Sequence, residues 1–258
     1  MNCLSKERQV LILKCLLDGC SIRTTSRITG HARNTISALM VKVGKACIRF
    51  HDKKVRNLPS NRIQVDEMWG FCGCKDKALG RGARGLGSVW TWIAFDPASK
   101  MAVSWRLGKR TEQEAKRLMY DLSERIIGRL EMSSDGLSAY AKAVENTFGD
   151  NIDFGMVVKQ YEQNRYKGSL YRSVVGCPKH ISTSLIERFN LTIRQCQRRW
   201  TRKTHGFSKK YDNMRYALAI FMVYYNFVRP HMTLRASPAM EIGIENRLWD
   251  VRDMLTLD

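Results

Sequence analysis

The chain has 258 residues, enough for one large domain or a main domain with a small appendage, and its 44% hydrophobic content is ordinary for a protein with a full core. Its formal charge of +20 sits in two blocks, with 12 Lys/Arg against 3 acids in residues 1–60 and 13 against 2 in residues 159–210, the footprint of a nucleic-acid partner. No run of about 20 apolar residues is present and no signal peptide opens the chain, so a soluble, cytoplasmic, nucleoid-associated protein is expected, with no membrane partner and no small-molecule substrate.

Residues 5–18, SKERQVLILKCLLD, form an amphipathic pattern with Ser5 as its cap and Gly19 as its stop. Ser21 caps a short second helix, IRTTSRIT, closed by Gly30, and a third helix, HARNTISALMVKVGKACIRFHD, follows. Three helices with short Gly-marked turns spell a helix-turn-helix, expected as a domain over residues 1–58. In that reading Arg33, Asn34 and Thr35 open the third helix toward base edges, and Arg23 and Arg27 meet phosphates.

DKKVRNLPS reads as a linker, and from Arg62 the period becomes that of strands. RIQVDEMWGFCGC, SVWTWIAFD and MAVSWRLG are three strands, with Asp96-Pro97 marking a hairpin turn. The loop KALGRGARGLG lacks the Gly-Lys-Ser/Thr ending of a phosphate cradle and reads as a basic hairpin tip. Thr111 and Glu114 make a capping box for helix TEQEAKRLMYDLSERI. Strand RLEMSSD, helix GLSAYAKAVENTFG and strand IDFGMVVKQY lead into the basic region. Eight scattered cysteines without a Cys-x-x-Cys pair suggest neither disulfides nor a zinc site.

In HISTSLIERFNLTIRQCQRRW, Ile186, Phe189, Ile193, Cys196 or Gln197, and Trp200 share one apolar stripe, with Ser182 or Ser184 as a cap. Glu187 stands alone on another face, and Arg194 and Arg198 fall within about 20° of it at 100° per residue. A solvated face with an ordinary ion pair would look the same. A long last helix, KKYDNMRYALAIFMVYYNFV, ends before Pro230, and residues 246–258 read as a tail.

The order β-β-β-α-β-α-β-α is that of an α/β ribonuclease-H-like sheet, here expected over residues 59–245 behind the small all-α domain. In that arrangement Asp66 and Asp135 lie on neighbouring strands and the helix of Glu187 crosses them. Three carboxylates so placed would hold Mg²⁺ or Mn²⁺, as two ions, for phosphodiester displacement. Asp135-Gly136 as a plain turn and Asp66 as a surface strand acid are the competing readings. Glu67 points to the opposite strand face and is excluded on that ground.

VDEMW at 65–69, SSDGLSAY at 133–140, IERFNLTIRQ at 186–195, RKTHGFSKK at 202–210 and YYNFVRPHMTL at 224–234 together resemble DDE transposases of the insertion-sequence-one family. The resemblance implies that Asp66, Asp135 and Glu187 are the catalytic, metal-binding triad. It implies that Arg194 is the basic residue seven after the glutamate. It further implies cleavage at terminal inverted repeats and joining of 3′ ends to target DNA. Longer family members carry paired cysteines ahead of the helix-turn-helix, and this sequence shows none there. With Arg194, the residues Arg198, Arg199 and Lys203 form the second expected DNA-binding group. Double-stranded DNA, as element ends and target, is the expected partner, bound by a homodimer or higher homo-oligomer. A catalytically idle repressor or domesticated protein, and a metal-dependent nuclease that cuts without joining, are the alternatives.

Overall fold

The computed structural model describes residues 4–79 and 86–258. The tip of the Gly-rich loop falls outside them. By its internal contacts the chain divides into two units, one of residues 1–54, 70–89 and 191–258, the other of residues 55–69 and 90–190.

The second unit is built on a six-stranded mixed sheet in the order β3-β2-β1-β4-β5-β6. The strands are β1 (Arg62–Cys72), β2 (Gly87–Phe95), β3 (Ala102–Gly108), β4 (Leu130–Asp135), β5 (Ile152–Glu162) and β6 (Arg165–Val175). The ends of β1 and β2, residues 70–72 and 87–89, are grouped with the other unit. β1 and β5 flank β4 in parallel, while β2–β3 and β5–β6 are antiparallel. This mixed sheet with its helices fits the ribonuclease-H-like arrangement that the element order implies.

The β2–β3 turn forms at Asp96-Pro97 as expected, with Asp96 Oδ1 accepting from the backbone of Ala98 and Ser99. Helix α4 (Glu112–Ser123) starts at Thr111, whose hydroxyl accepts from the Glu114 N–H. The reciprocal half of the capping box is missing, because the Glu114 carboxylate binds Arg106 and Arg117 instead. Helix α5 (Ser138–Phe148) packs on α4 and buries Tyr140 edge-on against Trp92 of β2. Helix α6 (Ser184–Cys196) begins in this unit, stacking Phe189 on Phe95.

β6 was not expected, since the residues after β5 read only as a basic stretch. It pairs with β5 through a two-residue turn at Gln163 and Asn164, both with positive φ. That turn normally advertises itself with glycine. Every residue of β6 is exposed or half-buried, so no burial alternation marks the strand.

The first unit is helical. Helices α1 (Lys6–Leu17) and α2 (Ile22–Thr29) carry the expected caps, Ser5 and Ser21, and Gly30 ends α2 at φ 71°. Helix α3 (Arg33–Lys54) packs along α7 (Tyr211–Val223), which continues into a π-turn over Tyr224–Val228. The expected separate domain of residues 1–58 is therefore not what the contacts delimit, because α3 shares its buried face with the C-terminal helix. Nor are residues 246–258 a loose tail: Trp249 meets Phe50 and Phe227 at ring distances of 5.0 Å, and Val251 and Met254 are buried. The sequence shows these apolar residues but not where their partners lie.

Gly44 marks the close approach of α3 to α7. A Cβ there would stand 2.4 Å from Tyr216 Cβ and 2.8 Å from its Cα. Gly→Ala in a helix interior ordinarily stabilises by about 1 kcal/mol. Here the sign should invert, and Gly44→Ala should destabilise by about 1–3 kcal/mol in a urea melt because the neighbour is backbone-proximal and cannot swing away. Unchanged or increased stability would mean that the two helices do not meet there in solution.

Candidate functional site

The site is assembled on β1 and its neighbours. Alternation along β1 sends Gln64 and Asp66 to the α6 side and Glu67 to the α5 side. Gln64 Oε1 accepts from the backbone N–H groups of Leu185 and Ile186 at 3.0 and 2.9 Å. A strand side chain thus satisfies helix-start donors that would otherwise be orphaned. Of the two expected capping serines, Ser182 contributes a bond to Ser184 N. One turn further on, Asn190 Nδ2 donates to Asp66 Oδ2 at 2.8 Å, and Asp66 Oδ1 accepts from Glu67 N.

Parallel pairing of β1 with β4 sets Val65 beside Ser134, so the next residues, Asp66 and Asp135, stand at adjacent strand positions. Asp135 Oδ1 accepts from Leu137 N at the start of α5. Oxygen atoms of Asp66, Glu67 and Asp135 all lie within 4.8 Å of one another. Glu67 therefore joins the acidic cluster from which its strand face seemed to exclude it. Its backbone direction is the one expected, yet its buried carboxylate still comes within reach of the other two. Arg110 binds it at 2.7 Å and Tyr140 donates to it at 3.0 Å, while Arg110 also lies over the Trp90 ring. No sequence pattern links these two partners to position 67.

Glu187 is not a member of that tight group. Its Oε1 accepts from Lys159 Nζ at 2.8 Å and from Thr183 Oγ1 at 2.7 Å, and its side chain is 41% exposed. It is near enough for its charge to act on Asp66.

Burial, and then the negative charges of Glu67, Asp135 and Glu187, push Asp66 up from its ordinary 3.8 to about 7. Burial and Asp135 likewise raise Glu67, against the opposing pull of Arg110. The Tyr140 hydroxyl is held protonated, its pKa raised well above the usual value by burial and by the carboxylates around it. An all-oxygen cluster of this kind fits a hard dication such as Mg²⁺ or Mn²⁺. Asn190 adds to the fit: its Oδ1 is buried with no hydrogen-bond partner among the described residues, beside the Asp66 carboxylate that its Nδ2 holds.

The expected basic groups fare differently. Arg23, Arg27, Arg33, Asn34 and Thr35 are all exposed at α2 and the start of α3. Helix α6 stops at Cys196, and Arg198–Trp200 wind into a tighter 3₁₀ turn, so Arg198 leaves the helical phase it was expected to share with Glu187. Arg198 and Lys203 are exposed. Arg194 instead donates to the Trp200 carbonyl at 3.2 Å, holding that turn. Arg199, expected among the DNA-facing cations, sets its guanidinium 3.1 Å from Met40 Sδ, and burial lowers its pKa to about 10. The change of helical phase after Cys196 is what turns it inward.

No protein-family model matches the chain. It is 24% identical over 149 residues to the insertion element iso-IS1n protein InsB of Shigella dysenteriae, a match covering 58% of this chain and 84% of that protein. Among solved structures it is similar to a piggyBac transposase synaptic complex with hairpin DNA, at a TM-score of 0.43 and 10% identity over 97% of this chain and 68% of that one. It is also similar to the Mos1 strand transfer complex, at a TM-score of 0.28 and 10% identity over 85% and 76% of the two chains. The insertion-element relative agrees with the likeness read from the motifs.

Proposed function

We propose that the chain is a DNA transposase that binds the terminal inverted repeats of its element, cleaves there, and joins the 3′ ends to target DNA. The observation that carries this reading is the meeting of Asp66 and Asp135 at adjacent positions of parallel strands, under a helix that returns to Asp66 through Asn190. Double-stranded DNA is the partner, and two ends must be held, so a homodimer or larger homo-oligomer acts.

Asp66 and Asp135 would hold the divalent metal, with Glu187 as the third acid. Bound dications would activate the attacking oxygen and stabilise the leaving one. The protein's own contribution is placement. Asn190 fixes the rotamer of Asp66, the α5 backbone fixes Asp135, and Arg110 with Tyr140 neutralises and anchors Glu67 behind them. Lys159 holds the Glu187 carboxylate at 2.8 Å, on the group that would take a dication. Arg23 and Arg27 meet phosphates while Arg33, Asn34 and Thr35 read base edges, and Arg198 and Lys203 add phosphate contacts. Arg194 serves DNA indirectly, through the turn it holds.

Asp66→Asn or Asp135→Asn should abolish metal-dependent strand cleavage while leaving affinity for DNA intact, and Glu187→Gln should do the same. Cleavage surviving within about tenfold in all three would overturn the assignment of the acids.

The raised pKa of Asp66 gives a second readout that needs no catalysis. An acid whose pKa rises from 3.8 to about 7 on folding makes the native state less stable as pH climbs through that window, because the native state must release a proton the unfolded state has already lost. A dication should relieve that penalty. The rise in melting temperature on adding Mg²⁺ should thus be larger at a pH above 7 than below 6, and Asp66→Asn should remove most of it. A magnesium increment independent of both pH and Asp66 would place the ion elsewhere.

For the helical reader, Arg33→Ala in the full chain should narrow the preference for terminal-repeat over random duplex by about 1–3 kcal/mol. A uniform loss on both duplexes, measured by titration at several salt concentrations, would make Arg33 a phosphate contact instead.

A further inference from the structure

The β5–β6 ribbon carries a feature that the proposed chemistry does not use. Tyr161, Tyr166 and Tyr171 are 63%, 60% and 62% exposed, far more than tyrosines serving a core. Strand alternation and the pairing register put all three on one face. Tyr161 pairs with Tyr166, Lys159 with Ser169, and Val157 with Tyr171. The irregularity between Gln160 and Tyr161 is what brings Tyr166 onto that face. The Tyr161 and Tyr166 rings meet edge to face at 6.1 Å, and the Tyr166 hydroxyl bonds to Ser169 Oγ at 2.9 Å.

The same face carries Lys159, whose Nζ binds Glu187 at 2.8 Å. The tyrosine row therefore runs outward from the candidate site itself. From the Val157–Tyr171 pair to the Tyr161–Tyr166 pair is four residues, or about 13 Å of strand. Lys159 is the cation on this face; Lys167, next to Tyr166, pairs with Glu162 at 2.7 Å, and Arg165 and Arg172, opposite Glu162 and Met156, stand on the other face of the same ribbon.

We propose that this face is a stacking platform for unpaired nucleotides of the DNA strand next to the scissile phosphate. The proposal rests on the transposase reading for the origin of that strand, but its binding chemistry is independent of cleavage. Aromatic side chains on a cationic support hold single strands by stacking on any base while the cations follow the backbone. Exposed rings also suit a protein surface, an outcome that sedimentation of the same variants separates.

The test uses the full-length protein in EDTA, a labelled oligo-dT and a blunt duplex of equal length, with binding followed by anisotropy. Parental protein should bind oligo-dT. Tyr161→Ala with Tyr166→Ala should weaken that binding by roughly tenfold or more while duplex affinity and melting temperature hold, and the matching pair of Phe substitutions should restore it, because stacking needs the ring and not the hydroxyl. Oligo-dT affinity unchanged in the Ala pair overturns the proposal. So does a loss that the Phe pair fails to restore, or a change only in sedimentation, which would make the face a contact between copies. Cleavage that survives loss of Asp66 would sink the catalytic reading alone, whereas tyrosine-independent oligo-dT binding would sink the platform alone.

Discussion

The functional end of the molecule depends on a two-point clasp between strand β1 and helix α6. Gln64 binds the N–H groups that open the helix, and Asn190 comes back one turn later to bind Asp66, two residues along the same strand. Both bonds use the strand's two-residue repeat on one side and roughly one helical turn on the other. Once they are made, the carboxylate of Asp66 has one rotamer and the helix one register. Glu187 then falls where Lys159 can reach it from β5.

That clasp forces like charges together. Asp66, Glu67 and Asp135 crowd within a few ångströms, at a cost that rises as burial removes water from them. The protein offsets part of it on one side only. Glu67 has Arg110, Tyr140 and, through Arg110, the ring of Trp90. Asp66 has an amide donor and a backbone N–H, and burial with the neighbouring acids drives its pKa up. An acidic group left partly uncompensated is a poor contribution to stability and a good place for a dication. The asymmetry between adjacent residues 66 and 67 separates an acid that is anchored from one that is available.

The positive charge shows a similar division of labour. Cations that look alike along the chain do different physical work: Arg125 lies buried between Asp121 and the carbonyl of Val55, Arg194 holds a turn, and Arg199 sits against a thioether. Those at α2 and the start of α3, with Arg198 and Lys203, remain exposed. Net charge forecasts the kind of partner but not which side chains meet it.

Interactions close in sequence were legible before any fold was known. Ser5, Ser21 and Thr111 cap the helices they were expected to cap, Gly30 ends α2, and Asp96-Pro97 turns its hairpin, because each depends on donors and acceptors within a few residues. The element order also sufficed to bring Asp66 and Asp135 to neighbouring strands, since a parallel pair with a helical crossover admits few arrangements. What the tertiary structure alone decided was which groups meet across long stretches of chain. Glu67 enters the cluster because Arg110 and Tyr140 make its burial tolerable, α6 ends early and gives Arg194 and Arg199 contacts within the protein, and residues 246–258 fold because Phe50 and Phe227 await Trp249. β6 had no burial pattern to betray it, since none of its residues is buried. Period and capping are local free energies written into a few adjacent residues. Desolvation and charge pairing belong to neighbourhoods that exist only after the chain has closed on itself.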